Sequence, residues 1–439
     1  MKHSSLTQRR ILIVAALASA ATLVLVGCTP SKSTTDTSLT VQVQAAQLPA
    51  FKYAANLLEK KHAGLKVKLQ TVTEQQETST NAQILASSNA PDVGIVKNNA
   101  QPYFDLMKAK KLIPLTDVWK SANLESRYGK TVATSLKWKG TPYLTMFDTT
   151  YYNVVFYNKA AFAKAGVTVP SNHQIANNED LYSAVSKLKT AGYDGLAVGG
   201  SAGYQLGWLV DAQLQANAPK AALQDFLTSW QSGNKQKVKY TSSAFTGSLA
   251  QLADWSKHGV FPAGFVAASG DQAQAQFTSG SAAMLIGGTW IPSVLKTQKF
   301  DYDWLLLPGA NDTPTVPSLY AGDTLAIPTA SKHQALAKEF LVLYESDKVQ
   351  TFAAAKVGSL PAVSTVKAAD VPGLGPIVQQ IVDYTTKKVG IGWTSTLPGS
   401  LGQAFVDAEA QKMLGGQVTV EQAGKDQQKQ FETYKSQNG

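Results

Sequence analysis

The chain has 439 residues, 16% of them charged and 44% hydrophobic, with a formal net charge of +10 at pH 7. Its length exceeds what one core usually organises, so two lobes of about 150–250 residues each are expected, under a surface less charged than the ~25% of ordinary domains. The basic excess is scattered in twos and threes (Lys108, Lys110 and Lys111; Lys137 and Lys139; Lys235, Lys237 and Lys239) with no dense run, which argues against a nucleic-acid partner.

At the N-terminus Lys2, Arg9 and Arg10 form a positive region, Ile11 to Leu25 an apolar one, and small residues precede Cys28, the layout of a cleavable export signal. The run from Ile11 to Gly27 is just short of a spanning helix. Leu25-Val26-Gly27-Cys28 resembles the lipobox of bacterial lipoproteins, in which the cysteine is lipidated and becomes the new N-terminus. That resemblance implies removal of residues 1–27, a net charge reduced to +7, and an anchor of three acyl chains, since a single chain holds a membrane only marginally. Cys28 is the only cysteine, so the exported body has no disulfide and no thiol for redox, metal or nucleophilic work. Residues 28–38 read as a lipidated flexible tether, rich in Ser and Thr with almost nothing to bury. The expected location is the extracytoplasmic face of the cell membrane, in a bacterium with a single membrane that would otherwise lose the protein.

Folding is expected from Leu39. Leu39, Val41 and Val43 alternate as a strand; Phe51, Ala54, Ala55 and Leu58 repeat at helical spacing up to a stop at Gly64; Leu65, Val67 and Leu69 alternate again. A strand over Asp92 to Val96 and a helix over Gln101 to Lys110 repeat the scheme. Val154 to Phe156 form a strand, Ala160 to Ala165 a helical turn stopped by Gly166, Leu181 to Leu188 an amphipathic helix, and Leu196 to Val198 a strand. Helices over Leu249 to Trp255 and Asp271 to Phe277 precede a buried strand, Ala282 to Ile286. Helical patterns continue through Leu336 to Tyr344 and the C-terminal stretch, where Thr419 to Gln422 form a capping box. Alternating strands and helices predict an α/β fold of parallel sheets with helices on both faces.

The five histidines are too dispersed for a metal-ligand spacing, and no cofactor is expected. Gly199-Gly200-Ser201-Ala202-Gly203 matches a hydrolase nucleophile elbow in strand-to-helix context, yet His258 sits at a helix C-cap and His333 at a helix start, neither placed to serve Ser201. Carboxylate pairs for glycoside hydrolysis (Asp148, Asp211, Asp254, Asp323) have no distinguishing spacing. A better signal is aromatic residues beside glycines and small polar residues: Tyr151-Tyr152, Tyr204 and Trp208, Gly287-Gly288-Thr289-Trp290, Tyr320-Ala321-Gly322-Asp323, and Gly392-Trp393. Flat rings lie against the C–H faces of sugars while amides and carboxylates accept hydroxyl protons.

In their order, several segments resemble extracytoplasmic solute-binding proteins of ABC importers, specifically the carbohydrate branch that includes maltodextrin-binding proteins. These are Leu58 to Val67, Ala90-Pro91-Asp92-Val93 with Lys111 to Leu115, Phe156-Tyr157-Asn158-Lys159-Ala160-Ala161-Phe162 with Ala165-Gly166-Val167, Phe277 to Met284 with Gly288-Thr289-Trp290, and Gly322 to Pro328. The likeness covers nearly all of residues 39–435. It implies two α/β lobes joined by a hinge, one of residues 39–147 plus 322–368 and the other of 149–318 plus 372–435, closing over a ligand and docking on permease subunits. It also implies a non-enzymatic monomer, with a mono- or oligosaccharide bound by Trp290, Trp208, Tyr204, Trp393, Asp148, Tyr151, Asn98, Asn99, Tyr320 and Asp323. Where the family more often has Gly-Gly-x-Gly, this chain has Ala321-Gly322-Asp323-Thr324. An iron or polyamine ligand on the same fold, or an exported serine or glycoside hydrolase, are the competing readings. Because Tyr151 and Tyr152 share a strand, only one of the two is expected to reach ligand.

Overall fold

The computed structural model describes residues 37–438 apart from 74, 75, 78, 79, 99, 232 and 322. Cys28, the export signal and Asn99 therefore lie outside the described residues.

Strand β1 (Ser38–Gln44) pairs in parallel with β2 (Lys66–Val72) across helix α1 (Leu48–Lys61). Helix α1 forms because Ala50, Phe51, Ala54, Ala55 and Leu58 fall on one face and are buried together, with a proline in the first turn where its missing N–H costs nothing. Gly64, at φ +86°, turns the chain into β2. A bridge from Val41 to Val93 joins β1 to β3 (Gly94–Val96), and helix α2 (Gln101–Lys108) follows. The chain returns as β4 (Thr145–Met146), which lies antiparallel to a later strand.

A second sheet centres on β5 (Thr150–Asn158). After α3 (Asn178–Thr190), capped by the Asn177 side chain, come β6 (Asp194–Ala197) and α4 (Gln205–Asn217). Then follow α5 (Ser243–Lys257), α6 (Gly270–Thr278) with a capping box from Ser269 and Gln272, and β7 (Ala282–Gly288). Strand β7 runs antiparallel to β5 and parallel to β6. The other edge of β5 is shared by β8 (Tyr302–Leu305) and β9 (Ser318–Tyr320), both antiparallel to it. The chain then re-enters the first sheet as β10 (Thr324–Ala326), between β3 and β4. Helices α7 (Gln334–Tyr344) and α8 (Asp347–Val357) pack there, and α9 (Pro376–Thr385), β11 (Gly390–Ile391), α10 (Trp393–Thr396), α11 (Gln403–Leu414) and α12 (Val420–Asn438) complete the body. Thr419 caps α12 by accepting from the Gln422 N–H.

Two cores result. Leu39, Val41, Phe51, Leu58, Ile95, Leu325, Phe340 and Tyr344 belong to one; Val155, Leu181, Leu209, Trp255, Met284, Leu305, Trp393 and Phe431 belong to the other. The α/β expectation holds, but the sheets are mixed rather than parallel. The reason is topological: a chain that crosses from one sheet to the other and comes back must run antiparallel to its first crossing, and β4–β5 and β9–β10 do so. Among the described residues no helix is long and apolar enough to cross a membrane.

Candidate functional site

Two crossing segments lie side by side between the sheets. The Phe147 N–H donates to the Asp323 carbonyl at 3.2 Å, and the Thr149 hydroxyl donates to the Tyr320 carbonyl at 2.8 Å. Thr149 also exchanges backbone hydrogen bonds with Leu360. These contacts place Asp148, Tyr320 and Asp323 at one junction.

On the side of the first core, the junction gathers polar groups from the ends of strands. Gln44 closes β1, and its amide donates to Glu77 Oε2 at 3.1 Å and to Asp323 Oδ2 at 2.5 Å. The Gln47 amide donates to Asp148 Oδ2 at 2.8 Å. Lys97, just past β3, sits 3.2 Å from Asp323 Oδ1 and 3.5 Å from Glu77 Oε2. The Tyr320 hydroxyl donates to Asp323 Oδ1 at 3.5 Å. Burial pushes the Asp148 carboxyl up to about 8, and the neighbouring charge of Asp323 adds to this. Asn98, two residues past β3, is buried, and its Oδ1 has no hydrogen-bond partner among the described residues.

On the side of the second core stand aromatic rings. Tyr204 precedes α4 and Trp208 follows one turn later, so their rings meet at 4.7 Å. Trp208 also contacts Trp290 at 5.6 Å and Tyr152 at 5.4 Å, and Tyr152 meets Tyr320 edge-on at 6.5 Å. Trp290 folds back over the end of β7, and a Cβ on Gly288 would lie 2.0 Å from its ring. The glycine before it is therefore a requirement of the ring's position. Tyr204, Trp208, Trp290, Tyr151 and Tyr320 are each partly exposed, as a ring that receives a ligand must be.

Two buried carboxyls hold this aromatic wall from behind. Asp211, one turn beyond Trp208, accepts from the Tyr152 hydroxyl at 2.6 Å and from the Thr394 N–H and hydroxyl, each at 2.9 Å. Asp407 on α11 accepts from the Gly207 N–H at 3.0 Å, at the start of α4. Burial pushes both up to about 7, against the hydrogen bonds that favour their charged forms.

The expected residues thus divide. The structure brings together Tyr204, Trp208, Trp290, Tyr320, Asp148 and Asp323, and the Tyr151 backbone joins them through Thr289, whose N–H donates to the Tyr151 carbonyl at 2.9 Å. It does not bring Trp393 to them as an exposed ring: Trp393 is fully buried in the second core against Phe245 at 5.4 Å and Tyr240 at 5.8 Å. Of the two adjacent tyrosines, Tyr152 turns its hydroxyl inward to Asp211, and an irregularity at Asn153 (φ +64°) shifts the register there. Sequence reading missed Gln44, Gln47, Glu77 and Lys97. The positions of Gln44 and Lys97 just at strand ends were the only hint available.

The glycines around Ser201 serve packing. A Cβ on Gly199 would lie 2.6 Å from the Gly270 nitrogen, and one on Gly200 2.5 Å from the Val266 Cα. Ser201 donates its hydroxyl to the Ala268 carbonyl at 2.9 Å, while His258 stacks on Tyr182 and His333 donates its N–H to Asp92. Among the described residues no histidine is hydrogen-bonded to Ser201, whose hydroxyl goes to backbone carbonyls. Among the described residues no group of three or more His, Cys, Asp or Glu is placed to hold a metal ion.

Two α/β cores joined by antiparallel crossings, with aromatic and polar groups meeting at the crossings, define a two-lobe binding-protein fold. The profile of the bacterial extracellular solute-binding protein family matches residues 38–351, and the chain belongs to that family. It is 24% identical over 346 residues to an uncharacterized ABC transporter extracellular-binding protein of Pyrococcus horikoshii, covering 76% of this chain and 74% of that one. Among solved structures, a chitin oligosaccharide binding protein superposes with a TM-score of 0.75 at 20% identity, covering 91% of this chain and 100% of the other. The GacH receptor of Streptomyces glaucescens, solved unliganded and with acarbose, gives 0.72 at 18% identity, covering 92% and 100%. The extracytoplasmic solute-binding resemblance read from the sequence therefore stands.

Proposed function

We propose that this protein is the lipid-anchored substrate-binding component of an ABC sugar importer. It captures a mono- or oligosaccharide by closure of two lobes and delivers it, without turnover, to membrane permease subunits. The observation that carries this reading is the meeting, through Tyr152 and Tyr320, of an aromatic wall (Tyr204, Trp208, Trp290) with a wall of carboxylates and amides (Asp148, Asp323, Gln44, Gln47). Rings offer faces to the apolar side of a pyranose, and the polar groups take its hydroxyl protons. The saccharides named for the structural relatives agree with it.

The two cores support lobes of residues 39–147 plus 322–368 and 149–318 plus 372–435. A ligand that touches both walls binds the closed arrangement best, and it shifts the population by that difference in affinity. Intrinsic tryptophan fluorescence, titrated with neutral saccharides, ferric ion and polyamines, tests the reading. Saccharides are expected to perturb Trp208 and Trp290; a response to iron or polyamines alone would overturn it.

Anchoring rests on Cys28. Cys28→Ser is expected to release or misprocess the protein in cell fractionation while its ligand binding persists. Unchanged membrane retention of that variant would defeat the lipid anchor.

A further inference from the structure

Helix α2 belongs to the first core through Tyr103, Leu106 and Met107, yet both of its ends reach the second. Gln101 and Lys108 stand two turns apart on one face, about 10 Å from end to end. At the first end the Gln101 amide donates to Asp105 Oδ1 at 2.7 Å, which fixes the side chain with its Oε1 against Gly399. A Cβ on Gly399, where φ is +52°, would overlap that oxygen, so the missing side chain is what admits the approach. At the other end the Lys108 ammonium donates to Asn438 Oδ1 at 3.4 Å.

Both partners are fastened to the second core. The turn of residues 399–401 is held by α12, whose Gln430 amide donates to the Ser400 carbonyl at 3.0 Å, and Leu401 is buried there. Asn438 ends the same helix, which Phe431 and Tyr434 anchor. Gln403, just past the turn, donates its amide to the Tyr204 carbonyl at 3.4 Å, where the aromatic wall begins. Helix α2 starts three residues after Asn98, on the polar side. The contact therefore joins the supports of the two walls, and none of its residues lies in the crossing segments around Asp148, Tyr320 and Leu360. A contact made apart from the crossings is free to break when the lobes turn about them.

We propose that Gln101 and Lys108, with Gly399 and Asn438, form a catch that is made when the lobes shut and broken when they open. It sets ligand affinity without touching ligand. The proposal rests on lobe closure, and not on the ligand being a saccharide. A contact present only in the closed form adds its free energy to closing, so weakening it lowers the closed population and the apparent affinity by one factor. Gln101 and Lys108 are positioning residues in that sense.

The first arm of the test needs no ligand. In the full-length protein in detergent micelles, Gln101→Cys and Gly399→Cys are combined and oxidised, with each single variant as the control for pairing with Cys28. The Gln101 Cα lies 4.0 Å from where a Gly399 Cβ would stand, close enough for a disulfide to bridge the two backbones. Oxidation is expected to close the disulfide and to slow hydrogen exchange at residues 203–208 and 287–291, on the aromatic wall, relative to the reduced protein. Failure of the disulfide to form, or identical exchange in both states, would overturn the catch. In the second arm maltotriose, triacetylchitotriose and xylotriose are titrated calorimetrically. Gln101→Tyr, too bulky for the space beside Gly399, is expected to weaken any sugar that binds by at least about tenfold with an unchanged melting temperature. Affinity unchanged in Gln101→Tyr would overturn the role in binding. Binding of none of these sugars by the unaltered protein would count against the carbohydrate reading, and hydrogen exchange would still decide the catch.

Discussion

Replacing Trp208 with alanine is expected to weaken saccharide binding by about a hundredfold or more, with little change in thermal stability. The ring is partly exposed and is the meeting point of Tyr204, Trp290 and Tyr152. Its loss removes one stacking face and lets its neighbours move. Stacking of a sugar face on the ring, together with the apolar area buried between ring and sugar, reaches the ~3 kcal/mol that a hundredfold requires. Trp393→Ala provides the contrast. That ring is fully enclosed by Tyr240 and Phe245, so its removal leaves a cavity and costs about 3–5 kcal/mol of folding stability. Calorimetric titration beside thermal melting separates the two effects. Undiminished binding by Trp208→Ala would remove it from the site, and an unaltered melt of Trp393→Ala would contradict its place in the core.

Stability is expected to be greatest near pH 4 and to fall as the pH rises to about 8. Burial pushes Asp148 and Glu345 up to about 8, and Asp211 and Asp407 up to about 7, from ordinary values of 3.8 for Asp and 4.5 for Glu. Between pH 4 and 8 the folded chain therefore holds protons that the unfolded chain has released, so stability declines with pH across that window and is fully present below it. Each unit of displacement amounts to about 1.4 kcal/mol for one group. Asp117 and Glu339, held low by Lys338 and by His62 with Lys61, act in the opposite sense only below about pH 4.5 and lie near the surface, where such pairs contribute little. Melting followed from pH 4 to pH 8 is expected to fall by several degrees, and Asp148→Asn to flatten the decline. A melting temperature that rises across this range would show that these carboxyls are ionised in the folded protein.

Most strands and helices were legible because their signals are local. Val41 and Val43 alternate, Phe51 to Leu58 recur at helical spacing, and Phe156 to Phe162 form a strand that runs into a helix capped by Asn158. The mixed pairing of the sheets was not legible, since it depends on where the chain crosses between them. Trp208 and Trp393 show the same limit for the site. Both tryptophans lie close to glycines, yet one lines the aromatic wall and the other fills a core.

By itself the sequence determined the order of elements, the membership in a family, and the aromatic positions Tyr204, Trp208 and Trp290. Tertiary structure alone decided which polar groups converge. Gln44 meets Asp323 across 279 positions of chain, and Gln47 meets Asp148 across 101. Periodicity and capping act over one or two turns of chain, whereas these contacts exist only because two antiparallel crossings hold Asp148 and Asp323 together at the ends of β1 and β3.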